Sequence, residues 1–498
     1  MSPSNAQHFS FEDVEAVIES RRVAVNWVKN ELRSSSLPDK RLDKRFIKLT
    51  EELSMSPMSP IPEACGGWTP TKGAYRFLDN ESCRASALLA PHVNETIERM
   101  KGHAVVLAVQ DTVFYGFKHP NTTGLGPIGK SESDTGRGLV MHHTLALTTK
   151  GLPLGTITQS IWARDEKISG ETASEKSNRV AKMPTEDKES WKWIEAAELT
   201  AKRKPEGVMV VTVCDREGDF YEFVAGEIER QAPFIVRARW NRRLIPEESA
   251  GYDTIMEALS QVAICKTTEV EIIGNSERKA RTALVGIKFV EVTIKPPMKK
   301  GAAKESASID PLTVRIVAAT EIDPPKGEDA ISWVLLTNLQ VKNARDAGEK
   351  VDWYRVRWGI EVHHKVMKSG CRVELARLET GERLARYLAI NSIIAFRLMH
   401  MTYILRTNPH APCTGILSSD EIEALCVRTQ KFNKMPGGQA TFTMRDALRE
   451  IAKIGGFLAR KSDREPGIIT IYRGFQRLNE DVVMLRNFKA LLNAGTKS

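Results

Sequence analysis

Apolar positions along this chain repeat with two different periods, and the switches between them divide it into segments. Between Asp39 and Leu53, the residues Leu42, Phe46, Leu49 and Leu53 fall at i, i+4, i+7 and i+11, the apolar stripe of one helix. The first ~55 residues read as helical throughout. A Ser/Pro/Gly-rich stretch from Ser54 to Gly73 follows and reads as a linker. Beyond it, Ala104–Gln110 (AVVLAVQ) is a continuous apolar run ending at Asp111, as expected of a strand buried on both faces. Leu139–Thr149 and Leu154–Trp162 predict two more strands joined by a Lys-Gly-Leu-Pro turn.

A polar loop from Asp165 to Ser190 leads into a helix near Trp191–Thr200. The run Val208–Cys214 (VMVVTVC) predicts another buried strand, ending at Asp215, and a strand at Phe234–Arg239 follows an intervening helix. From Thr268 to Thr337 the pattern is extended, with Leu312, Val314 and Ile316 alternating with polar neighbours, and it reads as a β-rich insertion at about 240–340. A long helix is predicted from Ala344 into Lys368, and the last ~110 residues are mostly helical.

Composition narrows the class. The 498 residues suggest two to four domains, and an ordinary apolar content excludes a collagen-like, globally disordered or disulfide-scaffold protein. Lys and Arg exceed Asp and Glu by 72 − 63 = 9, which favours polyanionic partners. Between Arg21 and Lys48 nine basic residues meet three acids, so a local excess of +6 lies on or beside the predicted amphipathic helix. Seven scattered cysteines without a CxxC pair fit reduced thiols in a cytosol. The start lacks an apolar export region, and Tyr387–Leu405 carries Asn391, Arg397 and His400, too polar for a membrane span. A cytoplasmic protein with no membrane partner is expected.

The candidate chemistry is acidic. Two predicted buried strands each deliver an aspartate, Asp111 and Asp215, at their carboxyl ends, where side chains emerge from a rigid scaffold. In the predicted helix around Trp353–Lys368, Tyr354, Arg357, Glu361, His364 and Lys368 fall within roughly 80° of arc at 100° per residue. Three carboxylates favour hard divalent cations, Mg²⁺ with Mn²⁺ as its substitute. Two such ions about 4 Å apart suit phosphodiester chemistry. His142–His143 and His363–His364 raise the question of zinc, but sequence neighbours point in different directions and no further ligand completes a set.

The spacing Tyr354-x2-Arg357-x3-Glu361-x6-Lys368 resembles the YREK signature of the DDE-class bacterial insertion-sequence transposases. The stretches VQDTVFY, VTVCDREGDFYEF, EIDPPKGEDAISWVLLT, GAYRF and IAKIGGFLARKSDREPGI also resemble segments of that family, in order along most of the chain. The resemblance implies an α/β fold. A helical DNA-end-binding domain with its linker would occupy residues 1–72, and an RNase H-like mixed sheet with flanking helices and the β-rich insertion residues 73–395. A helical dimerisation and synapsis domain would follow at 396–498.

It further implies that Asp111, Asp215 and Glu361 hold two Mg²⁺ ions per active site. Tyr354, Arg357 and Lys368 would hold phosphates, a flipped base would stack on Trp333, and Arg237 would contact DNA nearby. Arg41, Arg45 and Arg76 would bind the terminal repeat. The implied activity is cut-and-paste transposition by nicking, hairpin formation, hairpin opening and joining of 3′-hydroxyl ends to target DNA. Its implied partners are transposon-end and target double-stranded DNA, in a homodimeric synaptic complex at the bacterial nucleoid. The N-terminus is about fifteen residues longer than the family pattern, with acids Glu12, Asp13, Glu15 and Glu19.

Two rivals remain. Gly124–Ser131 matches the GxxxxGK[ST] phosphate loop, although its context offers neither a strand directly before nor a helix directly after. A DNA-binding relative without catalysis is the other, and the three intact acids speak against it.

Overall fold

The computed structural model describes residues 27–129, 135–166, 172–272, 281–297, 310–407, 409–415, 417–434, 441–461, 463 and 465–495. The acids Glu12, Asp13, Glu15 and Glu19, the basic pair Arg21 and Arg22, and Lys130 and Ser131 lie outside the described residues.

The chain opens with α1 (Trp27–Glu31) and α2 (Lys40–Met55). Asp39 caps α2 by accepting a hydrogen bond from the Arg41 amide at 2.7 Å, and the predicted stripe of Phe46, Leu49 and Leu53 is buried. The expected linker is a correction: within residues 54–73 the chain forms α3 (Ile61–Cys65) and enters α4 (Trp68–Asp79). Pro62 sits in the first turn of α3, where a missing N–H costs nothing, and Gly66 ends the helix at a φ of +67°. Ile61, Cys65, Ala74 and Phe77 are buried, with the Phe77 ring stacked on Phe46 at 6.1 Å, so punctuation residues here cap short helices. Next, α5 (Ala85–Met100) is pinned to α1 by buried Glu31, which meets His92 at 2.5 Å and Arg99 at 2.9 Å.

A single ten-stranded mixed sheet forms the centre. Its strands are β1 (Val105–Gly116), β2 (Gly126–Pro127), β3 (Arg137–Thr148), β4 (Pro153–Trp162), β5 (Met209–Cys214), β6 (Phe234–Arg237), β7 (Lys266–Ile272), β8 (Arg281–Ile294), β9 (Leu312–Glu321) and β10 (Ser332–Thr337). The order is β2-β3-β1-β5-β6-β10-β9-β8-β7, with β4 on β3. Strand β1 runs parallel to β5, and β5 to β6; the other neighbouring pairs are antiparallel. The β-rich segment continues this sheet, since β10 pairs with β6 in the register Leu335↔Arg237.

Two strand ends differ from expectation. β1 does not stop at Asp111 but runs five residues further, because β3 satisfies its backbone from Asp111↔His143 through to Gly116↔Gly138. β6 stops at Arg237 rather than Arg239, because the amides of Arg239 and Trp240 turn to the Asp219 carboxylate.

One sheet face is covered by α7 (Trp191–Arg203), α8 (Tyr221–Glu229) and α9 (Ile255–Gln261), reached through α6 (Ala173–Lys182). On the opposite face, alternate residues Leu107 and Val109 of β1, Leu145 and Leu147 of β3, and Val211 and Val213 of β5 form a core beneath α10 (Ala344–Val356) and α11 (Trp358–Lys365). The predicted continuous helix is therefore broken: a turn at Arg357 separates α10 from α11, and a π-helical turn spans Val366–Gly370. The long α12 (Gly381–Thr407) shares a core with α1–α5 and with Val113 and Tyr115 of β1. α13 (Ser419–Thr429), α14 (Met444–Ile454) and α15 (Ile468–Gly495) form a last helical cluster. No helix among the described residues is long and apolar enough to cross a membrane.

Candidate active site

Register and parity bring the acids together. The parallel pairing of β1 with β5 reaches Val109↔Val213, and two residues further on, at the same level and facing the same core, stand Asp111 and Asp215. That face is the one α11 covers, with Ile360 in the core below and Glu361 next to it in sequence. Asp111 is 18% exposed, and its Oδ1 accepts from the Thr112 amide at 2.8 Å. Asp215 caps a 3₁₀ turn by accepting from the Glu217 amide at 2.8 Å.

Electrostatics tie the group into one site. Burial pushes the Asp111 carboxyl up to about 7; the Arg357 guanidinium opposes this, while Asp215 and Glu361 add to it. Arg357 forms an ion pair with Glu361 one turn along. Burial works against its charge, yet Tyr354, Glu361 and Asp111 hold its pKa above the ordinary value. This is a pocket of crowded negative charge with the Arg357 guanidinium inside it. Three carboxylates, one of them too poorly solvated to ionise fully at neutral pH, make a donor set that fits a hard divalent cation.

The polar rim follows from the neighbouring strands. Tyr354 is buried, and burial raises its pKa while Arg357 and Arg237 oppose that. Trp333 of β10, half-buried, meets the Tyr354 ring edge-on at 5.6 Å. Arg237 of β6 donates to the Ser332 carbonyl at 2.9 Å, and burial lowers its pKa while Tyr354 opposes that. Tyr354, Arg357, Trp333 and Arg237 thus share one neighbourhood with the acids. Lys368 lies in the π turn, 3.7 Å from Glu374, with its ammonium 5.6 Å from the centre of the Tyr115 ring.

The expected end-binding arginines separate. Arg41 and Arg76 are exposed, and Arg41 pairs with Asp39 at 2.7 Å. Arg45 is largely inside: it donates to the Pro70 carbonyl at 2.5 Å and meets Glu52 at 3.5 Å, tying α2 to α4. Arg41, Lys44 and Lys48 line one face of α2, and Trp68, Lys72 and Arg76 one face of α4. Trp68 is 77% exposed, and the sequence reading did not single it out. Its signal was an aromatic residue at i, i+4, i+8 spacing with two cations.

Two further groups were missed. Asp219, four residues after Asp215, is buried and filled by four donors: the Arg239 and Trp240 amides and two nitrogens of Arg242. The histidines need a correction. His142 turns away to pack edge-on against Trp193, as adjacent strand residues must, but His143, His363 and His364 converge beside Asp111. Two consecutive histidines on α11 both reach His143 because the third ring stands between their directions. The GxxxxGK[ST] match is a hairpin in its described part: Gly126–Pro127 pairs with Arg137–Gly138, and the next described element is the strand β3.

Comparison with known proteins gives five similarities. Residues 24–83 match the family described as transposase DNA-binding, and residues 393–493 match the dimerisation domain of the transposase Tn5. The putative transposases InsL of insertion sequence elements IS186A and IS186B of Escherichia coli K12 are 26% identical over 168 residues, 33% of this chain and 44% of each relative. The transposase of insertion sequence element IS421 of Escherichia coli is 26% identical over the same length, 43% of that relative. The chain spans less than half the length of these relatives.

Proposed function

The chain is related to the insertion-sequence transposases, that of Tn5 among them, and from that premise we propose that it is a DDE transposase that cuts and rejoins DNA at the ends of its own element. The observation that carries this reading is the convergence of Asp111, Asp215 and Glu361 from two adjacent parallel strands and the helix above them, beside Arg357. The strand order β4-β3-β1-β5-β6, with β3 alone reversed, supports an RNase H-like catalytic sheet.

Asp111, Asp215 and Glu361 would hold two Mg²⁺ ions, with Mn²⁺ able to substitute. Bound there, the ions supply an activated water or 3′-hydroxyl and stabilise the leaving oxygen. The remaining work falls to the chain itself. Arg357 and Tyr354 hold the scissile phosphate against the acids, Arg357 giving up part of its pairing with Glu361 to do so. Lys368, further along the same polypeptide stretch, holds a neighbouring phosphate. Trp333, whose ring abuts Tyr354, takes a flipped base by stacking, an interaction of about 1–3 kcal/mol, and Arg237 steadies the strand beside it. That base extrusion would bend the strand into the hairpin formed after nicking, which is opened before the 3′-hydroxyl ends join target DNA.

The basic faces of α2 and α4 would bind the terminal repeat. The exposed apolar side chains of α15, Val483, Met484 and Phe488, would join two subunits across two ends in a synaptic homodimer.

The test is incubation of the purified chain with Mg²⁺ and DNA carrying the terminal repeats that flank its gene. Nicked, hairpinned and released ends are expected, and only when two ends can pair. Specific binding with no cleavage under Mg²⁺ or Mn²⁺ would identify a DNA-binding relative without catalysis. ATP hydrolysis without DNA cleavage would favour a phosphate-loop hydrolase.

A further inference from the structure

Three imidazoles meet on the catalytic side of the sheet, and no role assigned above uses them. His143 stands on β3 directly across from Asp111, while His363 and His364 descend from α11. All three are buried, and one ring nitrogen of each lies within 4.8 Å of one ring nitrogen of the other two.

Among the described residues each ring has one nitrogen without a partner, Nδ1 of His143, Nδ1 of His363 and Nε2 of His364. The other nitrogen of each ring is held from outside: His143 Nε2 by the Thr156 hydroxyl at 2.9 Å, and His363 Nε2 by the Ser392 carbonyl at 3.1 Å. His364 Nδ1 faces the Asp111 carboxylate at 3.6 Å. A carbonyl can only accept, so the His363 proton sits on Nε2 and its Nδ1 carries a lone pair. Unsatisfied buried nitrogens are costly, and one on each of three neighbouring rings calls for a partner.

The pattern matches metal-ligating histidines, which hold one ring nitrogen by an outer partner and bind with the other: a hydroxyl serves His143 and a carbonyl His363, while a carboxylate lies near His364. The spacing matches as well. Three imidazoles bound to zinc at about 2.05 Å in tetrahedral geometry have ring centres about 5.2 Å apart. The observed ring centres are 4.7, 5.7 and 6.1 Å apart. Neutral imidazole and borderline Zn²⁺ are matched in softness, whereas Mg²⁺ prefers the carboxylates.

We propose that His143, His363 and His364 form a second metal centre, a three-nitrogen site for Zn²⁺ distinct from the carboxylate site. Asp111 supplies the nearest compensating charge, and a solvent oxygen completes the tetrahedron. The ion clips β3 to α11 and, through His363 and Ser392, to α12, fixing the helix that carries Glu361. The inference does not rest on the transposase reading.

The full chain, stripped with chelator, given Zn²⁺ and desalted, is expected to retain one zinc per chain by mass spectrometry. Retention should fall at least tenfold in His143→Asn and stay unchanged in Asp215→Asn. X-ray absorption of the wild-type zinc form should show nitrogen scatterers at about 2.0 Å, with the multiple scattering of imidazole rings. Co²⁺ in its place should give the intense visible bands of a tetrahedral site. Failure to retain zinc, a six-coordinate oxygen environment, or loss of zinc in Asp215→Asn with retention in His143→Asn would each overturn the proposal. The absorption measurements use the wild-type chain, so a variant that misfolds leaves the decision intact. Loss of DNA cleavage with zinc still bound would refute only the transposase reading.

Discussion

Asp111→Asn separates the acid's catalytic chemistry from its cost to the fold. With Asp111 ionising near 7 instead of near 3.8, the shift is worth about 4 kcal/mol at 1.36 kcal/mol per pKa step. Because the charges of Arg357, Asp215 and Glu361 also act on this carboxyl, the effect is expected at ~2–4 kcal/mol. The sign is fixed by proton counting. Between pH 4 and 7 the native protein keeps a proton that the unfolded chain has released, so this group's contribution to stability falls as pH rises and is fully lost above 7. Asparagine retains the bond from the Thr112 amide and has no such slope.

In chelator, scanning calorimetry should therefore give nearly equal midpoints for wild type and variant at pH 4. At pH 8 the variant should be higher by a few degrees. A difference that does not vary with pH, or a wild type that is the more stable at pH 8, would refute the claim that burial dominates at Asp111. Divalent ions should then stabilise wild type more than the variant, about 1.4 kcal/mol at tenfold excess over the dissociation constant.

Three other expectations follow from the same geometry. Asp111→Ala, Asp215→Ala and Glu361→Ala should each abolish cleavage of paired ends while gel-shift affinity for a single end stays within a few-fold; residual cutting would remove that residue from the catalytic set. Arg76→Ala should lower the slope of log affinity against log salt by about one. Arg45→Ala should instead cost about 1–2 kcal/mol of stability, because its bond to Pro70 ties two helices together, and should leave the salt slope unchanged; equal slopes lost in both variants would return Arg45 to the DNA surface. Met484→Asp combined with Phe488→Asp should prevent paired-end complexes in native gels yet permit single-end binding, and pairing that survives would place the interface elsewhere.

The sheet was largely legible because its central strands are buried on both faces and so appear as unbroken apolar runs. Ala104–Gln110 and Val208–Cys214 announce themselves this way, and each led to an acid. What could not be read was anything set by a distant partner. β1 continues past Asp111 only because β3 supplies hydrogen bonds to a polar stretch. The Ser/Pro/Gly-rich segment folds into helices that bury Ile61 and Cys65 in the core shared with Phe46 and Phe77, packing invisible in local composition. The π turn at Val366–Gly370 was not legible either, because propensity contains no signal for it. The histidines escaped because sequence spacing describes ligands along one element, whereas this cluster joins a strand to a helix 220 residues away in the chain.

The two aspartates of CDREGD show what decides which acid serves chemistry. Asp219 accepts from two backbone amides and two nitrogens of one guanidinium, so its lone pairs are occupied and its negative charge is balanced. It locks the end of β6 to the loop after β5 and has no capacity for a cation. Asp215 accepts a single backbone bond among the described residues, Asp111 likewise, and both face a third carboxylate across a poorly solvated gap. Removing the Asp219 carboxylate should therefore unfold or loosen the strand end. Removing that of Asp215 should relieve repulsion and leave the fold intact. An acid is available for catalysis here to the degree that the protein has left its oxygens unfilled, and the folding cost at Asp111 is the measurable side of that availability.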